Sequence, residues 1–373
     1  MASLKRKKTE KYMTSKSFEI IPGIAIAIVT TILGTYLSEI IGTQIFGFTK
    51  SPISPIIMAI IVGILLSNSF SLPESSFKGF DFNLKYLLKI GIVLLGIRLG
   101  LYELMQFGII SFPVIIICII SSITFVIFIS KKFRIPRNLA ILTAIGTSIC
   151  GATAIVASAP LLGAKKEEIT YAIANITVFG ILAMILYPFL SSFIFSSNEL
   201  AIGIFLGTAI HETAQVIGAA LIFSENFISK DVIDVATVTK LVRNLTMVIL
   251  IPLIPYLRSV SFRSGMKNKH FGKSNIPVFI IGFIAMVCFR TLVDFLMASD
   301  GIIMKQVFFN AWNKFIVIME YGAKVLLTVA MASIGLKTDI KSLLKLGFRP
   351  FYIGLTASIL VGVISYFSIK VLI

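Results

Sequence analysis

The chain has 373 residues, of which 57% are hydrophobic and only 14% carry a charged side chain. One water-soluble core could not bury so much apolar surface, so the composition excludes a soluble globular protein. The formal net charge of +17 comes from short basic stretches scattered along the chain, which argues against a nucleic-acid-binding protein. We therefore predict an all-α, multi-pass membrane protein.

Eleven apolar segments recur along the chain, each close to the length that crosses a hydrocarbon layer of about 30 Å as a helix. We number them as spans one to eleven, at about residues 18–38, 51–67, 84–104, 109–129, 139–162, 169–195, 201–223, 232–257, 276–297, 315–336 and 351–369. A basic tail at residues 1–17 precedes them, and residues 18–373 are expected to form a single transmembrane domain.

Three basic loops follow spans four, eight and ten, at residues 131–137, 258–273 and 337–349. Loops rich in Lys and Arg stay on the cytoplasmic side of a membrane. Eleven crossings with a cytoplasmic N-terminus place all three loops inside, which favours the inner (cytoplasmic) membrane. A second topology, with spans five and seven as re-entrant hairpins, satisfies the same three loops and stays open.

Polar and small residues interrupt the middle of span five, including Gly146, Ser148, Cys150, Gly151 and Thr153. Backbone can unwind at membrane depth only where protein or a polar cavity surrounds it, and many secondary transporters build their substrate site from such discontinuous helices. The segment therefore predicts a broken helix in a transporter. A tight small-residue crossing of two continuous helices is the alternative.

A faint internal repeat supports this interpretation, because residues 143–153 match residues 328–338 at four positions. Spans five and ten then become discontinuous partners in inverted repeats at about 51–198 and 199–373, and Ser333 and Gly335 join the predicted site. Converging half-helix N-termini would suit an anion. A competing alignment of residues 146–149 with 207–210 pairs spans five and seven instead. We prefer the first pairing because its partners cross in opposite directions.

Spans seven and eight carry ionisable residues. His211 and Glu212 resemble the start of a zinc-binding HExxH motif, but Gln215 occupies the position of the second histidine, so we expect no metal site. We assign His211, Glu212 and Gln215 to ion coupling, since histidine titrates closest to neutrality. For His211 and Glu212, a substrate ligand and a structural pair bonded to a neighbouring helix are the alternatives. Span eight places three polar side chains on one helical face, and these would offset substrate charge or snorkel to the interface: Lys240, Arg243 and Asn244.

Five motifs together resemble the bacterial YeiH-type sulfate exporter family. They are Leu95–Leu99, Gly146–Ile155, Ile210–Val216, Lys240–Arg243 and Ala330–Leu336. The resemblance implies a place in the superfamily of cation/proton antiporters and anion transporters, with panel and core subdomains and two discontinuous helices that cross at the membrane midplane.

The expected function is secondary active transport of a small anion, with sulfate or a sulfonate as candidates, by alternating access. No GxxxxGK[ST] motif occurs, so an ion or substrate gradient would supply the energy. Expected partners are the anion, a coupling proton or sodium ion, the bilayer and, as an option, a second copy of the chain. We expect no cofactor. The predicted substrate-binding residues are Ser148, Cys150, Gly151, Thr153, Lys240, Arg243, Asn244, Ser333 and Gly335.

Two other classes remain open from the sequence. A sodium or proton antiporter would use Glu212 or Glu320 as its carboxylate. An intramembrane enzyme would need Cys150 as a nucleophile beside His211, and we do not expect an enzyme.

Overall fold

A computed structural model of the chain describes residues 2–45, 55–196, 198–229, 231–247, 250, 278–299, 302–339 and 348–373, and its regular elements in these residues are helices. The predicted loop at 258–273, most of the loop at 337–349 and the predicted start of span two at 51–54 lie outside them. The side chains of the basic tail are also outside the description, although its backbone is helical from Ala2.

In chain order the helices are α1 (Ala2–Glu39), α2 (Pro55–Ser69), α3 (Glu74–Phe82), α4 (Leu88–Leu95), α5 (Leu101–Lys132), α6 (Arg137–Ser148), α7 (Ala152–Leu162), α8 (Lys166–Ile194), α9 (Glu199–Ala209), α10 (Thr213–Phe227), α11 (Asp231–Leu245), α12 (Val278–Ser299), α13 (Ile302–Leu336) and α14 (Phe348–Leu372). Two π-helical turns follow α1 and α3, at Ile40–Ile45 and Asn83–Leu87, and a 3-10 turn at Gly96–Arg98 follows α4.

Six of the described helical segments are long and apolar enough to cross a membrane: Glu19–Glu39, Leu101–Lys132, Glu167–Ile194, Val278–Met297, Phe308–Leu336 and Phe351–Leu372. The prediction of an all-helical membrane fold is confirmed. Spans five and seven do not reach this length because each is divided into two shorter helices. The count of about eleven crossings and the inverted repeats stay predictions.

The chain divides into two compact units. The first comprises Met1–Ile97 and Asp300–Lys341, and the second comprises Arg98–Ser299 and Ser342–Ile373. In the first unit, α13 packs against α2 and α4, while α1 packs against α2 and α3. Small residues allow α2 and α13 to approach closely, since a Cβ on Gly63 would lie 2.8 Å from the carbonyl oxygen of Ala332.

Span ten is continuous, which corrects the predicted interruption. The helix α13 runs through Ser333 and Gly335 to Leu336. The Ser333 hydroxyl donates to the Val329 carbonyl of its own helix (2.9 Å) and accepts a bond from Asn83 Nδ2 (2.9 Å). Gly335 lies directly against the backbone of Ile60 on α2. The small residues of span ten therefore serve close helix packing, and the helix has no need to unwind.

The second unit contains α5 to α12 and α14. The helix α8 contacts both α6 and α10, and α11 packs along α9. An ion pair between Arg98 Nε and Asp234 Oδ1 (3.1 Å) joins the 3-10 turn to the first turn of α11. This unit contains both divided spans and the charged residues of α11, and it therefore carries the candidate site.

Candidate functional site

The predicted interruption of span five is present. The helix α6 ends at Ser148 and α7 begins at Ala152. Gly151, which precedes α7, has φ 74° and ψ −131°, a conformation that side chains with a Cβ rarely adopt. The glycine at this position therefore permits the chain to change direction between the two half-helices.

Span seven is interrupted as well. The helix α9 ends at Ala209, α10 begins at Thr213, and Ile210 and Glu212 between them have extended backbone conformations. The two interruptions contact each other, because a Cβ on Gly151 would lie only 3.2 Å from Glu212 Cβ. Spans five and seven therefore meet at their interruptions.

Two glycines bring α11 beside these interruptions. Gly203 and Gly207 lie one helical turn apart on α9, and a Cβ on Gly207 would lie 2.7 Å from Thr239 Cβ on α11. Such small-xxx-small spacing lets two helix backbones approach closely. Because Lys240 and Arg243 follow Thr239 on α11, the close packing places their side chains at the ends of α6 and α9.

Arg243 is fully buried and joins the C-terminal ends of both half-helices. Its Nε donates to Ser148 O (2.8 Å) and its Nη2 to Thr147 O (2.5 Å), while its Nη1 donates to Thr208 O (2.6 Å). The last carbonyls of a helix have no partner within the helix and carry partial negative charge. The planar guanidinium, with its five donors, satisfies several of these carbonyls at once.

Lys240 is also fully buried, and its ammonium group lies among carbonyls of the two interruptions. Nζ donates to His211 O (2.5 Å), Ile210 O (2.9 Å) and Ile149 O (3.3 Å). An ammonium group has three N–H donors, so these bonds match its full donor capacity. The two cations thus bind backbone carbonyls at the C-terminal ends of α6 and α9 and in the linking residues that follow them.

Asn244 completes the polar face of α11. Its Nδ2 donates to Thr213 Oγ1 (3.0 Å) in the first turn of α10. His211 is buried beside Lys240 and Arg243, and its Nδ1 has no hydrogen-bond partner among the described residues. The structure therefore gathers the polar residues of spans seven and eight around one point.

Other predicted site residues have local partners. The Gln215 amide donates to Thr177 O on α8 (3.2 Å), and the Cys150 thiol lies 3.5 Å from Met247 Sδ. The Ser148 hydroxyl donates to Ala144 O of its own helix (2.5 Å). Ser148 consequently reaches Arg243 through its carbonyl and not through its hydroxyl.

The N-terminal ends of α7 and α10 differ from the C-terminal ends of α6 and α9, whose carbonyls bind the two cations. The N-cap residues Gly151 and Glu212 make no side-chain capping bond, and the Cys150 thiol bonds to the backbone of Ala154 in the first turn of α7. Thr153, in the first turn of α7, is exposed, and Glu212 and Thr213 are half-buried. The first N–H groups of a helix have no partner within the helix and attract anions.

The charges around the interruptions favour an anion. Lys240, Arg243 and Glu212 carry two positive charges and one negative charge, which leaves one net positive charge. The dipoles of four half-helix ends add nothing to this sum, because two ends are positive and two are negative. Within the described residues, no group of three His, Cys, Asp or Glu side chains comes together to hold a metal ion.

The predicted site residues fall in both units. Ten lie in the second unit: Ser148, Cys150, Gly151, Thr153, His211, Glu212, Gln215, Lys240, Arg243 and Asn244. Ser333, Gly335 and the half-buried Glu320 belong to the first unit, on α13. Sequence reasoning missed the carbonyls of Thr147, Thr208 and Ile210 and the hydroxyl of Thr213. The signal for the three carbonyls was the similarity between residues 146–149 and 207–210, and Thr213 lies in the motif Ile210–Val216.

Comparisons with known proteins identify the family. A family model described as conserved hypothetical protein 698 matches residues 22–354. A UPF0324 membrane protein of Bacillus anthracis is 31% identical, with 94% of each chain covered. Another from Bacteroides thetaiotaomicron is 32% identical over 86% of this chain and 90% of its own, and one from Fusobacterium nucleatum is 30% identical over 96% and 99%. The chain therefore belongs to the conserved hypothetical protein 698 family, whose relatives named here are UPF0324 membrane proteins.

Proposed function

We propose that the protein is a secondary transporter that carries a small anion across the cytoplasmic membrane by alternating access. One observation carries the proposal: two interrupted helices meet beside the buried cations Lys240 and Arg243, while the N-cap residues of α7 and α10 make no side-chain capping bond. Discontinuous helices with this arrangement are a common way of building a transporter site.

The two cations act on the substrate through the helix ends. Their hydrogen bonds go to the C-terminal carbonyls of α6 and α9 and to the linking residues. They thereby cancel the partial negative charge that these carbonyls would direct at an anion. The N–H groups that begin α7 and α10 then bind the anion, with the exposed hydroxyl of Thr153 beside them.

Sulfate and sulfonates are the first substrates to examine, because the motifs of the chain resemble those of sulfate exporters. The proposal includes a cytoplasmic N-terminus and membership of the superfamily of antiporters and anion transporters. The coupling ion is a proton or sodium, with His211, Glu212 and Gln215 as the candidate coupling residues. The bond between Lys240 Nζ and the His211 carbonyl makes coupling to the anion site physically direct.

Proteoliposomes containing the purified protein test the proposal. Radiolabelled sulfate, a sulfonate, phosphate and chloride are offered in turn, with pH and sodium gradients imposed separately. We expect saturable flux of at least one oxyanion. If none of the four anions crosses faster than in protein-free vesicles, or if sodium or proton exchange proceeds without any anion, the proposal fails.

The variant Thr153→Asp localises the site. A carboxylate in the first turn of α7 would compete for the N–H groups of that turn and repel an anion, so we expect anion flux to fall at least about tenfold while the helix stays folded. The matched control is Ser75→Asp, which places a carboxylate at the equivalent position of α3, where Ser75 is exposed. Flux equal to wild type in Thr153→Asp would move the site away from α7.

A further inference from the structure

The surroundings of the Lys240 ammonium group resemble those of a bound metal cation. Three backbone carbonyl oxygens lie within 3.3 Å of Nζ, and all three come from the residues that link half-helices: Ile149, Ile210 and His211. Lys240 itself belongs to α11, and its side chain is completely buried. The ammonium group thus lies where two interrupted helices expose their carbonyls, and Arg243 Nη1 shares the Ile210 carbonyl with it (3.3 Å).

Backbone carbonyls freed by an interrupted helix are typical ligands for monovalent cations. In transporters, unwound backbone at the midplane coordinates sodium, and in potassium channels rings of carbonyls replace the water around the ion. A free ammonium ion carries the same charge and is close to potassium in size. The three carbonyls would therefore accept sodium, potassium or ammonium if the lysine did not occupy the position.

We infer that Ile149, Ile210 and His211 form a monovalent-cation site that the chain fills with its own Lys240 ammonium group. The site exists whether or not the protein is a transporter. Its consequence for coupling rests on the proposed function: anion transport requires no free sodium or potassium ion at this position, because a tethered cation is always present.

Chemical rescue tests the inference. The variant Lys240→Ala removes the ammonium group and three methylene groups and leaves space beside the carbonyls. We expect the variant to unfold at a lower temperature than wild type, and added ammonium, methylammonium, sodium or potassium to raise its melting temperature by about 5 °C at concentrations well above the dissociation constant. N-methylglucamine, which is too large for the space, should have no effect.

The matched control is Lys240→Met, whose unbranched side chain fills much of the same space without a charge. It should be destabilised like Lys240→Ala, but the four small cations should not restore it. An equal response of both variants, or no response of Lys240→Ala to any small cation, would overturn the inference. If Lys240→Ala does not fold in the presence of any of the four small cations, that result also overturns the inference.

The wild-type protein provides the second measurement. Replacing all sodium and potassium with N-methylglucamine should leave its melting temperature unchanged. A lower melting temperature would show that a free cation is still needed and would overturn the inference. If the wild-type protein transports no anion at all, the proposed function fails, while the melting temperatures of the two variants still decide whether the cation site exists.

Discussion

Two segments that look alike in the sequence have different structures. Residues 146–154 and 330–336 are both rich in Gly, Ala and Ser, yet the first is divided between α6 and α7 and the second is continuous within α13. Both use small residues to bring helices together. They differ in the groups that donate hydrogen bonds to their backbone carbonyls. The carbonyls of Thr147 and Ser148 accept from Arg243, while the Ser333 region keeps the backbone bonds of a helix.

The cost of a broken helix explains the difference. A buried carbonyl without a partner costs about 1–3 kcal/mol, and an interruption frees several at once. Arg243 and Lys240 supply donors for the carbonyls at both interruptions of the second unit. At the end of α13 the donors are uncharged: Asn68 Nδ2 bonds to Thr338 O (2.8 Å) and the Ser67 hydroxyl to the same oxygen (3.2 Å). Small residues permit an interruption, and buried cations make it stable.

The largest predicted effect is that of Arg243→Met. The carbonyls of Thr147, Ser148 and Thr208 lose their donors, so we expect destabilisation on the order of 4 kcal/mol or more, or loss of monodisperse protein. Thermal unfolding in detergent measures the effect. Lys370→Met, which removes an exposed cation from the last turn of α14, is the control and should unfold like wild type. Wild-type stability in Arg243→Met would contradict the capping role.

Alanine substitutions at Gly151 and Gly335 should distinguish an effect on transport from an effect on helix packing. Gly151→Ala strains a positive-φ position and should cost about 1–3 kcal/mol, together with a clear loss of anion flux per folded molecule. Gly335→Ala crowds the backbone of Ile60 and should cost a similar amount by overpacking, with flux per folded molecule unchanged. Parallel measurements of melting temperature and flux check both. The opposite pattern of flux would place the anion site in the first unit.

Serine-to-alanine changes give the smallest predicted effects. Ser333→Ala removes the acceptor of the buried Asn83 Nδ2 and should cost about 1–2 kcal/mol. Ser148→Ala removes a hydroxyl that, among the described residues, donates to Ala144 O of its own helix, so we expect a cost of less than about 0.5 kcal/mol and normal flux. Loss of flux in Ser148→Ala beyond about threefold would show instead that the hydroxyl contacts the anion.

Part of this arrangement could be predicted from the sequence. The interruption of span five followed from polar residues and glycines at mid-span, and the polar face of α11 followed from helical spacing. The interruption in span ten was wrong, because a small-residue motif does not reveal whether a cation lies beside it. The position of the cations depends on which helices pack together. Gly203 and Gly207 bring the cations of α11 to the interruptions only because α9 packs against α11.

The residue types also gave no indication of the atoms that bind the two cations. The groups that bind Arg243 and Lys240 are backbone carbonyls, which every residue possesses, so no residue type could point to Thr208 or Ile210. Gln215 was predicted for ion coupling from its position after His211, and its amide bonds to Thr177 on α8. One turn of α10 is enough to direct a side chain toward a different helix.

The guanidinium of Arg243 has a mechanical consequence. Because one rigid, planar group holds the last carbonyls of both α6 and α9, these two helix ends cannot part without several charge-assisted bonds breaking together in a buried environment. Arg243 therefore holds the two helix ends at a fixed separation. In any conformational change, we expect the C-terminal ends of α6 and α9 to move with α11 as one rigid body. The hinges of that motion then lie elsewhere in the chain.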